Sequence, residues 1–178
     1  EIEERKSPQK GKYSWSFDET FDIFEVNLQT KALKKLTKEL GYDAEASYSP
    51  DGQWIAFASN RAGYTEKLSN EEKKLFEQDP SYMMDIYIMK SDGSQVRQLT
   101  TARGYDGGPF FSADGTQLTW RRFSPNGQTA EIMTLSLEGA NKTAGAEKAL
   151  THLGAMSWAP FFHPSGDYVI FTSNVLGF

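Results

Sequence analysis

The sequence predicts an all-β repeat protein, and three recurring features carry that prediction. The first is a tight turn, Ser49-Pro50-Asp51-Gly52, which precedes an apolar stretch and returns as Ser112-Ala113-Asp114-Gly115 and His163-Pro164-Ser165-Gly166. The second is a Leu-Thr pair 15 residues before the third residue of each turn: Leu36-Thr37, Leu99-Thr100 and Leu150-Thr151. The third is an acid opening an alternating segment: Asp22-Ile23-Phe24-Glu25-Val26, Asp85-Ile86-Tyr87-Ile88-Met89 and Glu131-Ile132-Met133-Thr134-Leu135. From acid to leucine the first two copies count 14 residues and the third 19, which places a five-residue insertion near 142–147. The apolar positions recur with period two rather than 3.6, as strands require.

Each unit offers four short strands. At the start of the chain, 13–17, 22–28 and 32–37 read as the second to fourth strands of a unit. Within 31–40 the leucines are spaced as in a helix, but alignment with 94–100, where Val96 and Thr100 are β-branched, assigns an outer strand. Between the second and third strands of the next unit lies a long insertion, 61–84. There Ser69-Asn70-Glu71-Glu72 has the capping-box pattern, so a short helix is expected through about Glu77 and ending near Pro80. The following unit predicts strands at 108–112, 117–123, 131–137 and a short fourth at 149–151; the Asp-Gly pair suits its first hairpin because glycine reaches positive φ freely. Residues 160–174 supply the first two strands of another unit.

Four-stranded antiparallel units repeating every ~40 to 50 residues mark β-propeller blades. The turn spacings here are 63 and 51, and most of the first excess is the insertion. The expected organisation is one domain over 1–178: a partial blade at 1–42, whole blades at 43–105 and 106–156, and a partial blade at 157–178. Propellers close with at least about four blades, so two whole blades and two partial ones belong to a larger ring. The other blades would come from the same protein or from a second copy, since open blade faces leave apolar surface in water.

Composition narrows the function. The 178 residues are 38% hydrophobic, 13% aromatic and 24% charged, as in a globular domain with ample core material. No apolar run approaches the roughly 20 residues of a membrane-spanning helix. No signal peptide is visible, and because the sequence opens at Glu1 this says nothing of the compartment. The absence of cysteine removes disulfides, thiolate metal sites and cysteine nucleophiles. A net charge of -5 disfavours nucleic acid as a partner.

The run Ser49-Pro50-Asp51-Gly52, then Trp54 to Arg61, Asp85-Ile86-Tyr87, Ser91-Asp92-Gly93 and Leu99-Thr100 resembles the repeat of TolB-type β-propellers, over nearly the whole chain. That resemblance implies a ring that is usually six-bladed, a periplasmic or otherwise exported location, and a role in protein or peptide binding within the Tol-Pal envelope system. Similar repeats precede exported zinc aminopeptidases and prolyl-oligopeptidase-like enzymes; Gly107-Gly108-Pro109-Phe110-Phe111 and Trp120-Arg121-Arg122-Phe123 look closest to those. Departures are Ala113 for the turn proline and Ser165 for the turn aspartate, so the third turn is expected to differ in geometry.

Candidate binding residues follow from aligning the copies. Asp43, Asp106 and Ser157 share one position, six residues before Ser49, Ser112 and His163, ahead of the innermost strand. They could ring the mouth of a central channel with Trp158, holding a basic peptide end or a divalent cation; otherwise each is bound locally, in its own turn or as a cap on the neighbouring blade. Glu45 has the uncharged counterparts Gly108 and Ala159, so no repeated metal ring is supported and no cofactor is expected. Arg121 and Arg122 sit where other copies have Ala58, Ser59, Thr172 and Ser173. Arg122 could grip a carboxylate in the channel, or the pair could be structural, joined to Asp106 or Glu131. Trp54, Tyr87, Phe110, Phe111, Trp120, Trp158, Phe161, Phe162 and Phe171 could stack on sugars, as in a carbohydrate-acting propeller with a divalent metal, or pack blade on blade. His152 and His163 lack metal-site spacing, and His163 opens a turn. Asn141-Lys142-Thr143 matches a glycosylation sequon but reads as a loop. Neither Gly-x-Ser-x-Gly nor His-Glu-x-x-His occurs, so no catalytic centre is expected within these residues, and hydrolase activity could come only from a domain outside them.

Overall fold

A computed structural model describes residues 18–177. The strand expected at 13–17 lies outside the described residues. β1 (Phe24–Val26) pairs with β2 (Leu33–Lys35). β3 (Asp43–Tyr48), β4 (Trp54–Ser59), β5 (Met83–Lys90) and β6 (Arg97–Gln98) form a four-stranded antiparallel unit in chain order. β7 (Gly104–Phe111), β8 (Gln117–Phe123), β9 (Ala130–Glu138) and β10 (Thr143–Ala149) form a second. β11 (Ser157–Phe162) pairs with β12 (Val169–Ser173). Where one unit hands over to the next, β5 and β7 meet in two parallel pairs, Met83 with Gly104 and Met84 with Tyr105.

The recurrent turn is closed by its own side chains. The Gly52 amide donates to the Ser49 carbonyl, while the Ser49 hydroxyl donates to Asp51 and accepts from the Trp54 amide. Gly52 sits at φ 67°, a conformation open to glycine at no steric cost. Ser112, Asp114 and Gly115 repeat the arrangement. The third copy keeps the backbone geometry rather than departing from it: the Gly166 amide donates to the His163 carbonyl at 2.9 Å, and His163 Nδ1 takes the Ser165 amide. A fourth copy, Ser124-Pro125-Asn126-Gly127, joins β8 to β9 with the same bonds, Asn126 standing in for aspartate.

The acid and the Leu-Thr pair form a latch between the third and fourth strands of each unit. The amides of Ile23, Ile86 and Ile132, each next to the acid, donate to the hydroxyls of Thr37, Thr100 and Thr151 at 2.9 Å. Those hydroxyls donate in turn to Asp22, Asp85 and Glu131. The isoleucine carbonyls accept the amides of Leu36, Leu99 and Leu150. The latch also fixes the alignment of the longer third copy. Ala149 lies opposite Met133 as Gln98 lies opposite Tyr87, so the extra residues extend the fourth strand toward its start. The fourth strand is therefore β10 at Thr143–Ala149, not 149–151, with a bulge between Ala144 and Glu147 absorbing the added length.

Alternation places the core between units. Trp54, Ala56 and Ala58 on β4, with Met84, Ile86 and Ile88 on β5, face Tyr105, Phe111, Leu118 and Trp120 of the second unit. The opposite faces of the same strands, Ile55, Phe57, Tyr87 and Met89, pack with Leu36 and Ile23 of the first pair. β4 is thus buried on both faces, which is why it reads as a continuous apolar run. The segment 31–40 carries β2, the second arm of a hairpin with β1, and not a helix: the Asn27 side chain caps the turn and Lys31 takes φ 60° just before β2. In the insertion, α1 (Ala62–Thr65) is a single turn, and α2 (Asn70–Gln78) begins with both halves of the Ser69–Glu72 capping box. It is pinned at both flanks, by Tyr64 to Glu19 and by Arg103 to Glu72.

If the latch holds the strands, Thr100→Val leaves the fully buried Ile86 amide without a partner, and urea unfolding at pH 7 should show a loss of about 1–3 kcal/mol.

Candidate functional site

The first strands of the three aligned units, β3, β7 and β11, are bulged at the same place: between Ala44 and Ser47, Gly107 and Phe110, and Trp158 and Phe161. Each bulge holds one residue in the left-handed region: Glu45 at φ 55°, Gly108 at 64° and Ala159 at 49°. A bulge redirects side chains, and left-handed backbone is disfavoured for non-glycine residues. The distortion recurs with three different side chains, so it belongs to the repeat rather than to any one of them.

Just before the bulge stand Asp43, Asp106 and Ser157, and the structure puts all three below the surface, at 2%, 1% and 0% exposure. Asp43 is bound by Arg61 Nη2 at 2.6 Å, and that guanidinium also lies over the rings of Phe57 and Tyr87. Asp106 is held by both arms of Arg122, Nε and Nη2, at 2.7 and 2.6 Å; the third nitrogen, Nη1, reaches Glu147. Ser157 meets Ser173. Each carboxylate is thus taken by an arginine rather than by a turn amide or a neighbouring unit's cap. Arg122 is the partner expected for Asp106, whereas Glu131 serves its own latch and the amides of Leu153 and Gly154.

Arg121 departs from its expected pairing. It reaches across the seam to Glu45 of the preceding unit at 2.7 Å, and Glu45 also accepts the Tyr105 hydroxyl at 2.7 Å and the Gly108 amide at 2.8 Å. On its other side the Arg121 guanidinium lies 4.9 Å from the Trp158 ring, which packs edge-on against Phe123. One cation thus touches three successive units. Two glycines make the space: a Cβ on Gly107 would fall 2.4 Å from Glu45 Oε2, and one on Gly108 would fall 2.7 Å from Arg121 Nη1. Glu45 and Tyr105 are the members that sequence reading passed over. The usable signal was Gly107-Gly108 beside a strand carrying an arginine.

Behind Asp106 lies a second buried acid, Asp85, which accepts from Thr100 and Gln98. Burial and the nearby charge of Asp106 push its carboxyl from an ordinary 3.8 up to about 8, against the opposing pull of Thr100, Arg103 and Gln98. Burial likewise raises Asp106, with Arg122 opposing. Of the aromatic residues, Trp54, Tyr87, Phe111, Trp120 and Phe162 are buried between units, Phe110 meets Phe161 edge-on, and Phe161 is half exposed.

No protein-family model matches the chain. It is 25% identical over 130 residues to an uncharacterised protein of Agrobacterium fabrum, which covers 70% of this chain and 38% of that protein. It is 27% identical over 122 residues to a TolB homologue of Chlorobium luteolum, which covers 56% of this chain and 28% of that protein. Among solved structures, TolB from Acinetobacter baumannii superposes with a TM-score of 0.58 at 21% identity, over 84% of this chain and 31% of the other. A TolB-type protein from Agrobacterium tumefaciens gives 0.54 at 25% identity, over 79% and 41%. By these matches the chain is similar to TolB-like propellers. A puromycin-hydrolysing peptidase of Mycobacterium tuberculosis shares the fold, with a TM-score of 0.55 at 14% identity, over 86% and 24%. The chain spans about two fifths or less of each of these proteins. No described helix in this TolB-like chain is long and apolar enough to cross a membrane.

Two outcomes test the buried charges. Asp85 binds a proton in the folded state that the unfolded chain has released between pH 4 and 8, so its contribution to stability falls as pH rises across that window. The urea midpoint should decline from pH 5 to pH 8, and Asp85→Asn should flatten the decline. Gly108→Ala places a side chain at positive φ against Arg121, and the same assay should show a loss of about 1–3 kcal/mol.

Proposed function

We propose that the chain is a non-catalytic segment of a TolB-like propeller, with whole blades at 43–105 and 106–156, that binds a protein or peptide partner in the bacterial envelope. The supporting observation is the insertion between β4 and β5. Its helix α2 has no buried residue, yet the Tyr64–Glu19 and Arg103–Glu72 contacts tie the insertion to the segments just before β1 and β7. A helix-bearing loop on a rigid scaffold suits recognition, because little ordering entropy is lost on binding. The exported location rests on the TolB likeness. Asp43, Asp106 and Ser157, with Arg122 and Trp158, act in this reading as the floor that shapes the mouth; their charges are neutralised, so recognition falls to the loops.

A second reading, an accessory propeller of an exported peptidase, is favoured by the fold shared with the puromycin-hydrolysing peptidase. It predicts a catalytic domain elsewhere in the same protein, recognisable by zinc ligands or a serine nucleophile.

The intact propeller, used as bait in an envelope extract, should retain a specific partner. A variant with residues 66–79 replaced by a short turn should lose that partner while unfolding normally. No partner, or one held equally by both baits, would count against recognition through the insertion.

A further inference from the structure

Among the described residues, three seams bring the acid of the latch beside the start of the next unit's first strand, and their charges are balanced differently. At the middle seam the parallel pairs Met83–Gly104 and Met84–Tyr105 end where one further step sets Asp85 beside Asp106. At the seam before it the Asp43 amide donates to the Phe21 carbonyl, which sets Asp22 beside Asp43. At the seam after it Ala130 meets Met156 in parallel, which sets Glu131 beside Ser157. The first of these holds two acids and two cations: Lys35 Nζ meets Asp22 at 2.5 Å and Arg61 meets Asp43 at 2.6 Å. The last holds one acid, Glu131, which accepts the Leu153 and Gly154 amides with His152 nearby. The middle seam has two acids and is short of a cation. Lys35 lies opposite Phe24 as Gln98 lies opposite Tyr87, so the position that gives Asp22 an ammonium gives Asp85 only a neutral amide, at 2.9 Å. Arg122 holds Asp106 but is shared with Glu147, and Arg103, which also acts on Asp85, is bound to Glu72. The other titratable groups in reach are Tyr87 on β5, with Arg61 and Glu66 of the insertion beside it. Asp85 and Asp106 are 0% and 1% exposed, and the Thr100 hydroxyl bonds the first and reaches the second.

We propose that Asp85 and Asp106 hold one proton between them, and that its release loosens the joint between the units 43–105 and 106–156. Two neighbouring carboxylates in a buried seam do not both ionise without a matching counter-charge. The proton thus does at this seam what Lys35 does at the one before it. Burial raises both carboxyls, Asp85 to about 8. A carboxyl raised in the folded state stabilises fully below its unfolded value, and that effect is lost as pH rises through the folded one. The joint is therefore closed in mild acid and loosens as pH passes 8. The seams on either side, with their own cations or a single acid, lack this response.

Carbon-13 NMR of the side-chain carboxyls in the full 178-residue chain reads the proton directly. One of the two carboxyls should stay protonated at pH 6 and titrate near 8. In Gln98→Lys the new ammonium should move that titration below about 5. Hydrogen exchange, corrected for the intrinsic rate, reads the joint. Peptides spanning 83–86 and 103–107 should lose protection about tenfold or more between pH 6 and pH 9, while 117–123, inside the second unit, keeps its protection. Gln98→Lys and Asp85→Asn should each hold the seam protected at pH 9. Should Gln98→Lys misfold, Asp85→Asn decides, since it removes the charge with little change of shape. Both carboxyls ionised at pH 6 would overturn the shared proton. Seam protection unchanged up to pH 9, lost equally in Asp85→Asn, or lost together with that of 117–123, would overturn the joint.

Discussion

The hydroxyl of Thr100 accepts the amide of Ile86 and donates to Asp85, and through these two bonds the end of each fourth strand is tied to the start of the third. That constraint underlies the rest. β6 is only two residues long and β2 only three, too few for a ladder to fix their register unaided. With the latch, the outer strand is registered by its end rather than its length. Strand β10 can therefore grow to seven residues with a bulge while the pairing of Ala149 with Met133 stays aligned with that of Gln98 with Tyr87.

The latch also explains which parts of the fold were legible. Acid, isoleucine, leucine and threonine meet through local geometry repeated three times, so their spacing appears directly in the residues. The turns and the Ser69 cap were legible for the same reason, since each closes within a few residues. The fourth turn, at Ser124, was equally local, but it joins β8 to β9 and fell outside the expected alignment. The short fourth strand at 149–151 was misplaced because a bulge hides the pairing of 143–148 from any simple alternation.

The seam between units was the least legible part, for a physical reason. Glu45 and Arg121 are 76 residues apart, and nothing periodic announces their contact. Comparison of copies even argued against Glu45, because its counterparts are Gly108 and Ala159. The bulge is what repeats, whereas the charge is specific to one seam: where Glu45 projects forward, Gly107 must remain small. Asp43, Asp106 and Ser157 show the same logic. A shared buried position is partnered three ways, by an arginine beyond the second strand, by one on it, and by a second serine.

Such variation is tolerable because repeat units interact mainly with their neighbours. The buried ion pairs need not add net stability over an apolar substitute, but removing one partner alone leaves a charge without compensation. Arg121 is bound on one side by a carboxylate and on the other by the face of Trp158, so each side limits how far its neighbour can shift. Charge at the Glu45–Arg121 seam thus fixes how those two units sit against each other, while apolar packing and the latch supply the cohesion common to all. A seam with its own ion pair holds nearly interchangeable neighbouring units in one relative geometry.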